Sequence, residues 1–220
     1  MAGLFSQRTH AVLLLVFAGA TWFGCVAALI SDVVGWIVVD DHNPINETIS
    51  KLAVGKQSWI QDVGLDIFAG GVIACAVGLF SIYRSGWRGG AGAVALLLTA
   101  GDIFVIAEYN QYQGFDDFGG RVHMICVYIL YGLVTFASVV LGFELRKAGR
   151  VYQVMSLAFA ACWLVGSPLF LFVTPTTVDG AVERLLAVAL VAWIGMLAWV
   201  LWQRGREKLS TNSTSSSDQN

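Results

Sequence analysis

Ionisable side chains interrupt four long apolar runs of this 220-residue chain: Asp66, Asp102, His123, Glu183 and Arg184. A charge inside membrane hydrocarbon costs several kcal/mol unless it meets a partner, water or a ligand. A histidine beside carboxylates is suited to general acid and base chemistry, because its ordinary pKa lies near neutrality. An arginine binds carboxylates or phosphates through its forked guanidinium group. The sequence therefore predicts a polar functional site within an apolar protein.

Residue type divides the candidates into two sets. His123, Asp66 and Asp102 are the candidates for catalytic groups. The residues predicted to bind a ligand are Glu183, Arg184, Glu47 and Ser50. One histidine with two carboxylates is a small ligand set for zinc, so the sequence predicts neither a metal nor a cofactor.

Purely structural roles can also explain these candidate residues. Asp66 and Asp102 can be paired with cations that fix the register of the helices, because buried charges are usually paired whatever their role. His123 can be an interfacial side chain bonded to a loop carbonyl. Arg184 is expected to pair with Asp66, or with an anionic head group such as phosphate.

The composition excludes an ordinary soluble domain. The chain is 57% hydrophobic and 13% charged, with a mean hydropathy of +0.70, whereas about a quarter of the residues in a soluble domain are charged. Six apolar runs approach or exceed the roughly 20 residues that cross a bilayer as a helix: 10–31, 59–83, 89–109, 121–143, 151–174 and 181–203. We therefore expect an all-α, multi-pass bundle of six transmembrane helices.

One domain accounts for nearly the whole chain. Residues 1–209 are predicted to form the membrane domain. The Ser-, Thr- and Asn-rich end, residues 210–220, is predicted to be a disordered cytoplasmic tail. Small residues at a spacing of four, Gly70, Ala74 and Gly78, predict the packing stripe of the second span.

The charges predict the orientation. One side of the predicted spans carries nine of the thirteen basic residues: Arg8, Arg84, Arg88, Arg146, Lys147, Arg150, Arg204, Arg206 and Lys208. The positive-inside rule then places both termini in the cytoplasm of a cell-membrane protein. Only Glu144, Glu207 and Asp218 of the fifteen acidic residues fall on that side, so the outer half has more carboxylates than cations.

The longest outer connection is predicted to contain a short amphipathic helix between Asn43 and Gly55. Asn43 is a suitable N-cap, Pro44 suits the first helical position, and Gly55 suits the end of the helix. Its apolar face would consist of Ile45, Ile49 and Leu52. Such a helix can cover a site beneath it.

The same segment carries a family resemblance. Its residues are Asn43-Pro44, Glu47, Ile49-Ser50, Leu52-Ala53 and Gly55, followed by His123 at the start of the fourth span and Glu183-Arg184 at the start of the sixth. With six spans, this pattern resembles the prokaryotic membrane proteins catalogued as domain of unknown function 998, over essentially the whole chain. That resemblance implies the fold and supplies no activity. Ile49-Ser50 and the single His are also similar to the Frag1/DRAM/Sfk1 group, which is linked to lipid handling and membrane trafficking.

Three functions follow from the polar cluster. The first is binding of a membrane lipid or other amphiphile in an outer-leaflet pocket, with no role for nucleic acid. The second is a membrane-embedded hydrolase or transferase that uses His123 with carboxylates. The third is a small proton- or ion-coupled transporter, against which the inner halves of the spans hold few ionisable residues. Whether the protein is an enzyme, and how many copies assemble, stay open.

Overall fold

The polypeptide forms an all-helical bundle in a computed structural model that describes residues 2–110, 112 and 117–217. The helices are α1 (Ala2–Val38), α2 (Ile49–Leu52), α3 (Ser58–Tyr83), α4 (Trp87–Tyr109), α5 (Phe118–Leu145), α6 (Arg150–Phe172) and α7 (Asp179–Ser217). All except α2 are long and apolar enough to cross a membrane. The predicted multi-pass, all-α fold is therefore confirmed.

The six long helices form a closed ring. Each packs against the next long helix along the chain, and α7 packs against α1 to complete the circle. Short connections make neighbouring helices antiparallel. We call the end of the bundle that carries residues 39–57 and 173–178 the capped end, and the opposite end, where α1 begins, the terminal end.

Large aliphatic side chains fill the half of the ring nearer the terminal end. The fully buried residues of this core include Leu14, Leu79, Leu141, Leu145, Leu197 and Leu201. Beside them, Trp193 donates from Nε1 to the Ser156 hydroxyl at 2.9 Å, and Ser156 donates to the Ser138 carbonyl at 2.8 Å. Both side chains are thus bonded within the bundle.

Glycine allows α1 and α3 to approach each other closely. A Cβ on Gly71 would lie 3.1 Å from the Cα of Gly24, and a Cβ on Gly64 would lie 2.0 Å from the Ser31 hydroxyl oxygen. The packing stripe of α3 therefore includes Gly64, Gly71 and Gly78, a spacing of seven that returns to the same face after two turns.

The predicted stripe of Gly70, Ala74 and Gly78 was wrong at its first member. A Cβ on Gly70 would meet no atom within 4 Å. Successive steps of four residues drift around the helix, so they leave the face that meets α1.

The ends of the chain are more helical than predicted. α1 begins at Ala2, and α7 continues to Ser217, beyond the predicted start of a disordered tail at Ser210. Ser210 and Thr211 each donate a hydroxyl hydrogen bond of 2.9 Å to the Glu207 carbonyl, as side chains of this kind do within helices. Residues 218–220 of the predicted tail lie outside the described residues.

We expect Gly71→Ala to destabilise the bundle and Gly70→Ala to leave it intact. Both changes gain about 1 kcal/mol of helix propensity, but only the first inserts a methyl group between two backbones, a crowding that costs about 1–3 kcal/mol. The melting temperature of the purified protein in detergent should be several degrees lower for Gly71→Ala than for Gly70→Ala. Equal melting temperatures would show that the close approach of α1 and α3 is unimportant.

Candidate functional site

Residues 39–57 fold across the capped end, and we call this segment the cap. Its helix is shorter than predicted, since α2 covers only Ile49–Leu52 and its N-cap residue is Thr48. Asn43 forms a turn instead, in which its side chain accepts from the Ile45 amide at 3.0 Å and its own amide donates to Glu47 at 2.9 Å. These local side-chain bonds compete with helix formation.

The apolar face of the cap also differs from the prediction. Leu52 is 1% exposed and Ala53 is fully buried, so α2 packs its apolar side onto the bundle. Ile45, predicted to share that face, is 56% exposed because it belongs to the turn.

Arg184, in the second turn of α7, fastens the cap. Its guanidinium group pairs with Asp32 of α1 at 3.1 Å and donates to the carbonyls of Pro44 at 2.8 Å and Glu47 at 2.7 Å. It also donates to the Gly180 carbonyl at 3.2 Å. The predicted pairing of Arg184 with Asp66 was therefore wrong, because Asp32 lies opposite it where α7 meets α1.

The start of α7 makes three further contacts with the cap. Glu183 accepts the Ile49 amide at 2.5 Å, and the Ala181 amide donates to the Ile45 carbonyl at 2.9 Å. A Cβ on Gly180 would lie 2.1 Å from the Glu47 carbonyl oxygen. The backbones of helix and cap thus touch at a position that only glycine can occupy.

His42, a residue of the cap, lies between the side chains of Arg184 and Glu47. Its Nε2 is 3.1 Å from an Arg184 nitrogen, and its Nδ1 is 3.2 Å from a Glu47 carboxylate oxygen. Since arginine only donates, Nε2 must accept, and Nδ1 then carries the proton and donates to Glu47. This assignment makes His42 neutral.

Burial is the main reason that the pKa of His42 is lowered from its ordinary value. The nearby cations Arg184 and Lys51 lower the pKa further, while Glu47 and Asp32 act in the opposite direction. The side chain is only 2% exposed, so a proton on it would add a second buried cation beside Arg184. The Asn43 amide is the largest of the groups that lower the pKa of Glu47.

A cavity of about 160 Å³ lies beneath the cap, and all seven helices contribute to its wall. Much of that wall is apolar and includes Leu65, Phe68, Ile103, Leu130, Leu186 and Leu190. Its polar members are Asp32, Gln61, Asn110, Tyr131, Trp163, Glu183 and Arg184. The cavity thus has the mixed lining typical of small-molecule sites.

Two uncharged polar atoms in the wall of this cavity have no hydrogen-bond partner among the described residues, whereas Oδ1 of Asp32, which also lacks a hydrogen bond, lies 3.1 Å from Arg184 in an ion pair. The two uncharged atoms are Oε1 of Gln61, a residue 2% exposed, and Nε1 of Trp163, a residue 3% exposed. A buried polar atom without a partner costs about 1–3 kcal/mol. One is an acceptor and the other a donor, so a bound molecule that carries both a donor and an acceptor, such as a hydroxyl group, can satisfy them.

The predicted catalytic residues, which belong to α3, α4 and α5, do not line this cavity. His123 is 4% exposed, with Nε2 3.4 Å from the Ser50 hydroxyl of the cap. Asp102 is 9% exposed, lies beside the Cys126 thiol, and has one oxygen without a partner in the described chain. Asp66 lies near Glu108 instead of near Arg184.

The structure thus divides the predicted cluster into separate groups. Glu183 and Arg184 line the cavity and hold the cap, Glu47 and Ser50 belong to the cap, and the catalytic candidates do not line the cavity. Within the described part of the chain, no three His, Cys, Asp or Glu side chains converge as metal ligands.

Sequence reasoning missed Asp32, Gln61 and Trp163. Asp32 follows directly on the predicted first span and carried a usable signal, namely a lone acid at the end of an apolar run. Gln61 and Trp163 are uncharged, and their importance depends on the absence of a partner, which only the folded structure shows.

The capped end lies within the part of the chain that matches a known protein family. The family described as protein of unknown function (DUF998) matches residues 22–200, which include the cap, the cavity wall and the first turns of α7. No curated protein and no solved structure matches the chain.

The structure predicts that acid weakens the cap through His42. Because its pKa is lowered in the folded protein, its stabilising contribution is complete above its ordinary pKa of 6.5 and is lost as the pH falls toward the lowered value. Glu47, whose pKa is lowered from 4.5, acts at more acidic pH. The melting temperature should therefore fall more steeply between pH 7.5 and 5.5 for the wild type than for His42→Gln.

Each kcal/mol lost from the free energy of unfolding lowers the melting temperature of a protein of this size by about 2–4 °C. The comparison cancels contributions from His10 and His123, which both proteins retain. If the melting temperature falls in parallel with pH for the wild type and His42→Gln, His42 is not the source of the acid sensitivity.

Proposed function

The chain belongs to the DUF998 family of proteins of unknown function, and we propose that it binds one amphiphilic molecule in the cavity beneath the cap. The observation that carries this proposal is the pair of unpartnered buried atoms, on Gln61 and Trp163, in an otherwise largely apolar cavity. The basic residues near the terminal end support a cell-membrane orientation with both termini cytoplasmic and the cap outside.

The size of the cavity favours a single-chain ligand. About 160 Å³ is close to the volume of a cavity that holds one small aromatic molecule. It accommodates a head group with the first part of an alkyl chain. Leu29 of α1 and Val188 of α7 line the cavity and are 40% and 51% exposed on the bundle, so the rest of the chain can leave between them into the membrane.

The packed core near the terminal end favours a binding site rather than a transport path. Leu14, Leu79 and Leu201 are buried nearer the terminal end and pack into one continuous core. A polar solute would have to separate these side chains to pass. The cavity therefore serves a ligand that enters and leaves at the capped end or from the membrane.

One contact favours a second function, a membrane-embedded acyl hydrolase or transferase. The Ser50 hydroxyl lies 3.4 Å from Nε2 of His123, a spacing that is somewhat long for a nucleophile and base but common before substrate binds. In this reaction Ser50 attacks an ester carbonyl, and His123 takes its proton and passes it to the leaving alcohol. Water or an acceptor alcohol then releases the acyl group.

Binding is tested by native mass spectrometry of the protein extracted gently from its own membranes. We expect an enriched amphiphile on the wild type, and about tenfold less of it on Gln61→Leu or Trp163→Phe, since each loses one hydrogen bond to the ligand. Trp59→Phe is the matched control, because Trp59 is 62% exposed and lies outside the cavity wall. A wild-type protein with no enriched molecule would refute the proposal.

The hydrolase is tested separately with a fluorophosphonate, which labels activated serines. Labelling of Ser50 is expected in the wild type, with at least a hundredfold slower reaction in His123→Ala if the histidine acts as a base. Ser58→Ala serves as the control, because Ser58 begins α3 without contacting His123. Equal labelling rates in wild type and His123→Ala would exclude the acyl-transfer function and leave the binding proposal untouched.

A further inference from the structure

We infer that the ligand of the cavity carries a cationic amine head group. The sequence had instead predicted an anionic head group, bound by Arg184. This inference rests on the proposed binding function and concerns only the class of ligand. It follows from the difference between the charged and polar groups of the cavity wall that already have partners and those that do not.

The guanidinium of Arg184 has no nitrogen available for a ligand. Its Nε and one terminal nitrogen contact Asp32, and that terminal nitrogen also contacts His42. The other terminal nitrogen donates to the carbonyls of Pro44, Glu47 and Gly180. A phosphate or carboxylate at this position would have to displace the bonds that hold the cap.

Glu183 is the charged group of the cavity wall that remains without an ion pair in the described structure. One of its oxygens accepts the Ile49 amide at 2.5 Å, and the other has no hydrogen-bond partner among the described residues. With Asp32 paired to Arg184, the wall keeps one carboxylate that forms no ion pair among the described residues. A cation in the cavity would compensate it.

Aromatic rings stand near this carboxylate. Tyr131 lies within electrostatic range of Glu183, and its ring centroid is 5.2 Å from that of Trp163, with the two planes inclined at 52°. Both rings line the cavity. An ammonium group is attracted to the faces of such rings and to a carboxylate at once, which is the usual pattern of alkylammonium recognition.

The unpartnered amide oxygen of Gln61 fits the same chemistry. It is an acceptor, as is the free oxygen of Glu183, so both can bind the N–H groups of an amine. An anion would meet acceptors at both positions. An ammonium group cannot accept from the Nε1–H of Trp163, so that donor would bond an oxygen elsewhere on the ligand. The charge and the acceptors of the wall therefore favour a single-chain alkylammonium over a fatty acid or an alkyl phosphate.

The test compares three octyl probes, n-octylamine, n-octanol and octanoate, titrated calorimetrically at pH 7.5 into protein in nanodiscs of zwitterionic lipid. Heats from empty nanodiscs are subtracted to remove partitioning into the bilayer. We expect n-octylamine to bind at least tenfold more tightly than the other two probes.

Glu183→Gln should remove most of the preference for n-octylamine over n-octanol. The new side chain keeps an oxygen for the Ile49 amide and loses only the charge. Asp179→Asn is the matched control, because it makes the same change of charge on the same helix at a residue outside the cavity wall. It should preserve the preference.

The possible outcomes separate this inference from the proposed function. If n-octanol or octanoate binds as tightly as n-octylamine to the wild type, the cationic ligand is excluded and the binding site stands. If none of the three probes binds, the proposed amphiphile site itself is contradicted. The ranking on the unmodified protein decides between these outcomes even if Glu183→Gln does not fold.

Discussion

The capped end of the bundle depends on the burial of one guanidinium group at the junction of α1, α7 and the cap. The Arg184 side chain is 12% exposed, and an arginine so placed requires a full set of acceptors. Asp32 supplies the opposite charge from α1, and the cap supplies carbonyls that have no helical partner of their own. The same contacts therefore close the ring between its first and last helices and fix the cap above the cavity.

This arrangement explains why the cap and the cavity belong together. Glu183 and Arg184 are adjacent, so they point in different directions around α7. Arg184 faces Asp32 and the cap, whereas Glu183 joins the Ile49 amide to the cavity wall. Any ligand that approaches Glu183 also touches the group that holds the start of α2. Binding of the proposed ligand would consequently be coupled to the position of the cap through a single side chain.

The sequence predicted the number of long helices and the presence of a covering segment, because apolar length and turn-forming residues are local properties. It also identified Glu183 and Arg184 as members of the polar end. It did not predict which helix faces meet. Asp66, Asp102 and His123 lie within about two turns of the ends of their helices at the capped end, as Glu183 does. Position along a helix says nothing of direction around it, however, and none of the three lines the cavity. Likewise, Gln61 is important because it has no partner, which is a property of the folded ring.

The fixed cap is tested most directly by hydrogen–deuterium exchange of the peptide over residues 43–55, in the wild type and in Arg184→Gln. Amides of this segment donate to Asn43, Thr48, Ser50 and Glu183. The account predicts slow exchange in the wild type and at least about tenfold faster exchange in the variant, with peptides of α3 and α5 unchanged. Exchange in the wild type at the rate of an unstructured peptide, or equal rates in the two proteins, would contradict it.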